Sequence, residues 1–353
     1  MTDFDRRERR LRDVCTAWLG SRPVVIEPLA SEGFSGASIA RVRGIDEADA
    51  WVLKSFPRSR VEHVGWVHSL MRHVRGAGAA EVPDVAVTSA GASMIVDPDG
   101  DAWELVAFVA GASTATPTVA QTAAAATCLA RIHLAAATLP GAEPSRAVPG
   151  AITRRIAHAA QLLDAPWSGR RVQRPAGPRA WHDDLLARRD RARAIFAATH
   201  GARALERVAA RVPSPARVQA VLRDVTSDHV LYRQADSAVV AGVIDFHAAA
   251  IDTPATDLAR LLGSWRPACD HGRWEAALAA YEAVRPLEVS ERLDVAWLDA
   301  TGVIFGLDHW FRWTLDEARP FREPVAVLAR IDALLERLEE SVADLHDGGG
   351  HAV

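Results

Sequence analysis

The hydrophobic pattern of this chain changes character near Gly111, and no other feature constrains its fold as tightly. Upstream, short runs rich in β-branched and aromatic residues are separated by turn signals, which is how strands read. The runs are Val24 to Leu29, Ala37 to Val42, Trp51 to Phe56, Val82 to Val87, Ser93 to Val96 and Trp103 to Val109. Asp97-Pro-Asp-Gly100 is a turn between two of them, and Ser31 to Gly36 is a glycine-containing turn between the first pair. Only Arg6 to Leu19 and Val61 to Val74 have helical spacing in this half.

Downstream the helical period takes over, in Val119 to Ala137, Ile152 to Leu163 and Asp183 to Val212, then Thr256 to Trp265, Trp274 to Val284, Val295 to Thr314 and Pro324 to Leu345. Pro140 to Pro149 and Pro166 to Pro178 read as surface connections. A β-rich island interrupts the helices at Val218 to Leu222, His229 to Tyr232 and Val239 to Ile244. The pattern predicts an α+β chain: an N-terminal helix within 1–22, a small antiparallel-sheet lobe over 23–110, a larger mainly helical lobe over 111–345, and a tail at 346–353.

Composition narrows the function classes. At 353 residues, 49% hydrophobic and 24% charged, the chain can build a sizeable core, which excludes wholesale disorder and a small disulfide-stapled scaffold. A net charge of −4 gives no electrostatic case for nucleic acid, and the arginine-rich stretch Arg170 to Arg179 is broken by prolines and reads as a solvated loop. Cys15, Cys128 and Cys269 are odd in number and lack metal-ligand spacing, which suits a reducing compartment. No apolar run has the length of about 18 residues that a membrane span needs, and the arginine-rich start has no apolar core of a secretory signal. The expected location is the cytoplasm. Among 41 Lys plus Arg only Lys54 is lysine, and asparagine is absent, as a GC-biased genome would produce.

The most informative string is Val221 to Tyr232, followed by Val243-Ile-Asp-Phe-His247. Asp224 and Asp245 each end or follow a strand, and His229 starts the strand between them. An acid that engages a hydroxyl, with neighbouring groups that hold a divalent cation, is what phosphoryl transfer requires. Arg223-Asp224, with His229 five residues after the Asp, resembles the catalytic loop of the protein-kinase-like fold in its aminoglycoside and choline kinase branch. Ile244-Asp-Phe246 resembles that family's second metal-binding element, and Asp252 to Ala259 its Asp-Pro-Ala-x-Asp-Leu-Ala segment. Leu129 to His133 is similar to the helix that supports the loop, and Trp103 to Gly111 to the hinge between lobes.

The resemblance implies a bilobal fold and a phosphotransferase that uses ATP or GTP with Mg²⁺ or Mn²⁺. Asp224 would be the catalytic base, and Asp245 and His229 the metal ligands. Lys54, on the third expected strand, would hold the α- and β-phosphates. Gly33, Ser35 and Gly36 would lie over the phosphates, and Ala107 and Val109 beside the nucleotide. A compact ammonium cannot be exchanged freely for a planar guanidinium in a tight phosphate site, which is a reason for this lysine to persist. His133 and Asp257 read as structural braces of the loop, and Trp310, Phe311 and Trp313 as core at helical spacing.

Four positions depart from the family pattern. Leu222-Arg223 stands for His-Gly, His229 for the metal-binding Asn, and His247 for the glycine after Asp-Phe. The fourth is the helix acid that would pair with Lys54: Glu62 follows it by eight residues and His68 by fourteen, and both are candidates. The acceptor is left open among aminoglycoside-like antibiotics, sugars, amino alcohols and amino acids, and the oligomeric state is unspecified. A nucleotide-binding pseudokinase and a metal-dependent hydrolase are the alternatives.

Overall fold

The computed structural model describes residues 3–29, 39–44, 50–164, 167, 179–234, 237–265, 271–321 and 323–347. In chain order it contains α1 (Asp3–Leu19), β1 (Val24–Pro28), β2 (Ile39–Gly44), β3 (Ala50–Pro57), α2 (Val61–Gly76), β4 (Met94–Val96) and β5 (Asp101–Ala107). There follow α3 (Val119–Ala136), β6 (Ser145–Ala147), α4 (Gly150–Asp164), α5 (Arg179–Ala198), α6 (Gly201–Ala210), β7 (Ala216–Val221), β8 (Val230–Tyr232), β9 (Val240–Val243) and β10 (Ala250–Asp252). The chain closes with α7 (Ala255–Ser264), α8 (His271–Glu282), α9 (Val289–Phe311) and α10 (Pro324–His346).

Two compact units result: Met1–Ser113 with Asp228–Ala249, and Thr114–Ser227 with Ala250–Val353. In the first, five antiparallel strands run in the order β1-β2-β3-β5-β4. Leu11, Val14 and Cys15 of α1 pack with Val42, Leu53, Trp103 and Leu105 on one sheet face. Side chains alternate across a strand, so Lys54 and Glu104 project from the other face, where His68 of α2 meets Glu104. With helices on both sides, the inner strand β5 is buried continuously from Ala102 to Leu105. The Asp97 turn is tied down by Arg10 Nε and Trp103 Nε1, each 2.8 Å from Asp97 Oδ2.

The second unit is mainly helical. The alanine-rich α3 opens with a reciprocal cap between Thr118 and Gln121, and its small side chains allow close packing on α8. A three-stranded sheet, β10-β7-β6, carries the loop that bears Asp224.

Three expectations are corrected. Val82 to Val87 is not a strand: Pro83 lacks an N–H, and only an isolated bridge between Val85 and Val106 forms. The helix expected over Asp183 to Val212 is two helices, because His200 turns left-handed (φ 55°) and Gly201 lies against the Phe196 ring, where a Cβ would stand 2.2 Å from it. The single β-island is divided: β7 pairs with β6, inside the proline-rich connection, and with β10, whereas β8 pairs with β9 in the first unit. Asp228–Ala249, expected within 111–345, thereby joins the sheet-bearing unit. The tail beyond Asp347, Cys269 and most of Pro166 to Pro178 lie outside the described residues.

Candidate functional site

In the first unit, β3 and β5 pair so that Lys54 and Glu104 are directly opposite Cα partners. Lys54 Nζ donates to Asp245 Oδ1 at 3.2 Å, across 191 positions of sequence. Asp245 itself is left-handed (φ 62°) and starts the turn Phe246–Ala248, which swings His247 back toward the sheet. Nε2 of His247 donates to Glu104 Oε2 at 3.0 Å, and Nε2 of His68 donates to the same oxygen at 2.6 Å. Nδ1 of His247 lies 2.9 Å from Asp245 Oδ1 and 3.1 Å from Lys54 Nζ. It therefore donates to Asp245 when the ring is charged and accepts from Lys54 when it is neutral. Arg60 and His63 both donate to the His247 carbonyl, at 3.0 and 2.9 Å, and fix the turn.

The charges reinforce one another. Burial works to raise the pKa of Glu104, but the charge and hydrogen bonds of His247 and His68 hold it down to about 2. Burial opposes ionisation of Asp245 too, and the His247 hydrogen bond, Lys54 and His229 keep it well below the usual carboxylate range. The pKa of His247 moves up: desolvation would lower it, but Glu104 and Asp245 more than offset that.

The structure thus brings Lys54, Asp245 and His229 into one unit, with His229 half-buried immediately before β8 and its carbonyl accepting from Ile244 N at 2.9 Å. Glu62 is exposed in the first turn of α2, and no bond joins it to Lys54 among the described residues. His68 is spent on Glu104. Sequence reasoning missed Glu104; its signal was a lone acid inside the apolar run Trp103 to Val109. Ala107 N is bonded to Asp84 O at 2.8 Å, and Val109 lies against Gly242. Gly33, Ser35 and Gly36 lie outside the described residues.

In the second unit, Asp224 follows β7 and its Oδ1 accepts from Arg260 Nε and Nη2 at 2.9 and 2.6 Å. Arg223 before it is left-handed, with φ 67°. Two backbone donors of this loop, Leu222 N and Arg223 N, end on the fully buried Asp257 carboxylate at 2.7 and 2.6 Å. His133 Nε2 bonds the same carboxylate at 2.9 Å and its Nδ1 lies 2.6 Å from the Tyr281 hydroxyl. The His133 carbonyl accepts from Gln219 of β7, at 2.7 Å. Asp257 thus anchors the loop from within α7.

The sequence profile described as the phosphotransferase enzyme family matches residues 31–287. No curated protein sequence matches significantly. Among solved structures, an aminoglycoside phosphotransferase from Alicyclobacillus acidocaldarius superposes with a TM-score of 0.58 at 15% identity, covering 96% of each chain. An amicoumacin kinase in complex with AMP-PNP, Ca²⁺ and Ami gives 0.60 at 12%, also covering 96% of each. A spectinomycin phosphotransferase bound to ADP and spectinomycin gives 0.61 at 10%, covering 96% of this chain and 98% of the other. The fold is the protein-kinase-like α+β fold of such enzymes.

Proposed function

Because the chain belongs to the phosphotransferase enzyme family, we propose that it transfers the γ-phosphoryl group of ATP or GTP to a hydroxyl of a small molecule. The observation that carries this reading is the contact of Lys54, the only lysine, with Asp245, 3.2 Å apart although 191 positions separate them in sequence. Lys54 holds the α- and β-phosphates as a compact cation. Asp224, oriented by Arg260, aligns the acceptor hydroxyl and takes its proton. Asp257 and His133 keep the Asp224 loop in shape by bonding its backbone.

A divalent cation suits the donors present. Mg²⁺ is usually held by one or two carboxylates with waters and substrate phosphates, and Asp245 supplies one carboxylate with the imidazole of His229 beside it. No group of three such ligands occurs among the described residues, in keeping with an ion completed by its nucleotide. When bound, the ion would neutralise phosphate charge. Imidazole favours softer ions than Mg²⁺, so Mn²⁺ is expected to support activity at least as well.

The test is turnover of nucleotide with Mg²⁺ or Mn²⁺ over an acceptor panel. Asp224→Asn should lower kcat by about 10²–10⁴-fold with an unchanged melting temperature, and wild-type turnover in that variant would end the proposal. His247 also favours a second reading, a nucleotide-binding module with little turnover, since it binds the Asp245 carboxylate that a metal would use. Nucleotide-induced stabilisation with no phosphoryl transfer to any acceptor would select it.

A further inference from the structure

The second unit contains a guanidinium that no carboxylate or carbonyl among the described residues bonds. Arg154 and Arg155 are consecutive on α4, and Arg154 Nη2 donates to Asp252 Oδ2 at 2.7 Å. Arg155 is half-buried and has no hydrogen-bonding acceptor among the described residues. Its guanidinium lies along α9: a Cβ placed at Gly302 would stand 3.7 and 3.8 Å from its two terminal nitrogens, and the Phe305 ring is 5.9 Å away.

The surrounding carboxylates are already matched. Asp224 is held by Arg260 at 2.6 Å, Asp252 by Arg154 at 2.7 Å, Asp299 by Arg337 at 2.7 Å and Asp308 by His158 at 2.7 Å. Arg155 adds a positive charge that none of these carboxylates bonds. Burial and the repulsion of Arg260 bring its pKa down to about 10, against the pull of Asp299, and it stays protonated at neutral pH. The same charge is felt at His309, whose pKa falls to about 4 through burial and the charges of His158 and Arg312, with Arg155 adding to them.

A planar fork of donors that no carboxylate among the described residues bonds is suited to two oxygens of an incoming anion. The position is informative, since its neighbour Arg154 bonds Asp252 at 2.7 Å, and the same Asp252 oxygen lies 4.0 Å from the guanidinium of Arg223, the residue before Asp224. We propose that Arg155 binds an anionic group of the acceptor, so that the acceptor is a hydroxyl compound bearing a carboxylate or a phosphate rather than a polycation. This rests on the phosphotransferase reading for its role, although the anion site stands on the geometry of the second unit alone. Arginine at four points around Asp224 and Asp252 opposes a cationic acceptor at this spot.

The experiment separates the two claims. The full chain and Arg155→Gln are titrated calorimetrically, without nucleotide, with glycerate, glycerol 3-phosphate, glycerol and ethanolamine. At least one anion should bind the wild type, with affinity at least tenfold above glycerol and ethanolamine, and the two anions identify whether carboxylate or phosphate is preferred. Arg155→Gln should weaken that anion at least tenfold while its melting temperature does not fall, and Arg155→Lys, which keeps the charge but loses the fork, should lie between. Absence of anion binding at millimolar concentration, tighter binding of ethanolamine, or equal anion affinity in Arg155→Gln would overturn the proposal. Phosphoryl transfer is then assayed with ATP and Mg²⁺ or Mn²⁺. Anion binding through Arg155 without transfer rejects the phosphotransferase reading and keeps the site; transfer to cationic acceptors alone rejects the site and keeps the reading.

Discussion

A carboxylate that is 1% exposed, as Glu104 is, stays ionised only because His68 and His247 both donate to it. Its pKa is held at about 2, against an ordinary 4.5. A depressed carboxylate contributes stability above its unfolded pKa and loses it as pH falls through the folded one. Glu104 should therefore add about 3 kcal/mol at pH 7, fading as the pH drops from 4.5 toward 2. Denaturant unfolding of wild type and Glu104→Gln at a series of pH values should show that gap at neutrality and its closure in acid; a gap independent of pH would remove the ion-pair account. Arg223 carries strain of a different kind, since a non-glycine residue at φ 67° costs of order 1–3 kcal/mol. The family's glycine at this place relieves that cost, so Arg223→Gly should raise stability by about 1 kcal/mol, read as a higher denaturant midpoint. Lys54 was legible in the sequence because it is the single lysine and follows a glycine turn on a strand run. Glu104 was not, because its importance depends on the β3–β5 register, and a strand pattern does not encode its partner's register.

Elements with one clean period were read nearly to their ends, as Trp51 to Phe56 became Ala50–Pro57 and Val61 to Val74 became Val61–Gly76. The misreadings fall where a local signal and a tertiary contact disagree. Proline marked Pro140 to Pro149 as a loop, yet Ser145–Ala147 pairs along the edge of β7, a place where flanking prolines cost no ladder bond. Helical spacing ran through Thr199 and His200, yet the chain breaks there because Gly201 must approach the Phe196 ring. Gly111, the residue at which the pattern changes, is also fixed by contact. A Cβ there would stand 2.7 Å from the Tyr232 carbonyl, which accepts the Ala112 N–H at 2.9 Å. A backbone oxygen cannot rotate away as a side chain can. Gly111→Ala should cost about 1–3 kcal/mol and loosen β8, which amide hydrogen exchange at Ala112 and Tyr232 would report as lost protection.

On the scale of the whole molecule, the first unit is discontinuous in sequence: the chain leaves it after Ser113 and supplies its last piece only at Asp228–Ala249. The sequence pattern could not reveal this, because a strand's composition says that it is buried but not beside which partner. The late segment is small, but it provides what the early one lacks. It brings His247 to Glu104, Asp245 to Lys54, and the Tyr232 backbone to Ala112 through a reciprocal pair of hydrogen bonds at 2.9 Å. Without it, Glu104 is a buried acid with one donor in place of two, and burying an incompletely paired charge costs several kcal/mol. That is a large part of the 5–15 kcal/mol that holds a typical domain together. Residues 1–113 alone should therefore lack a cooperative unfolding transition, whereas the same residues joined by a flexible linker to 228–249 should regain one. The comparison is made by denaturant titration followed through the tryptophan signals of Trp18, Trp51, Trp66 and Trp103, which all belong to this unit. Cooperative unfolding of 1–113 by itself would show that the early segment holds its own core, and that Asp228–Ala249 docks onto a finished sheet instead of completing it.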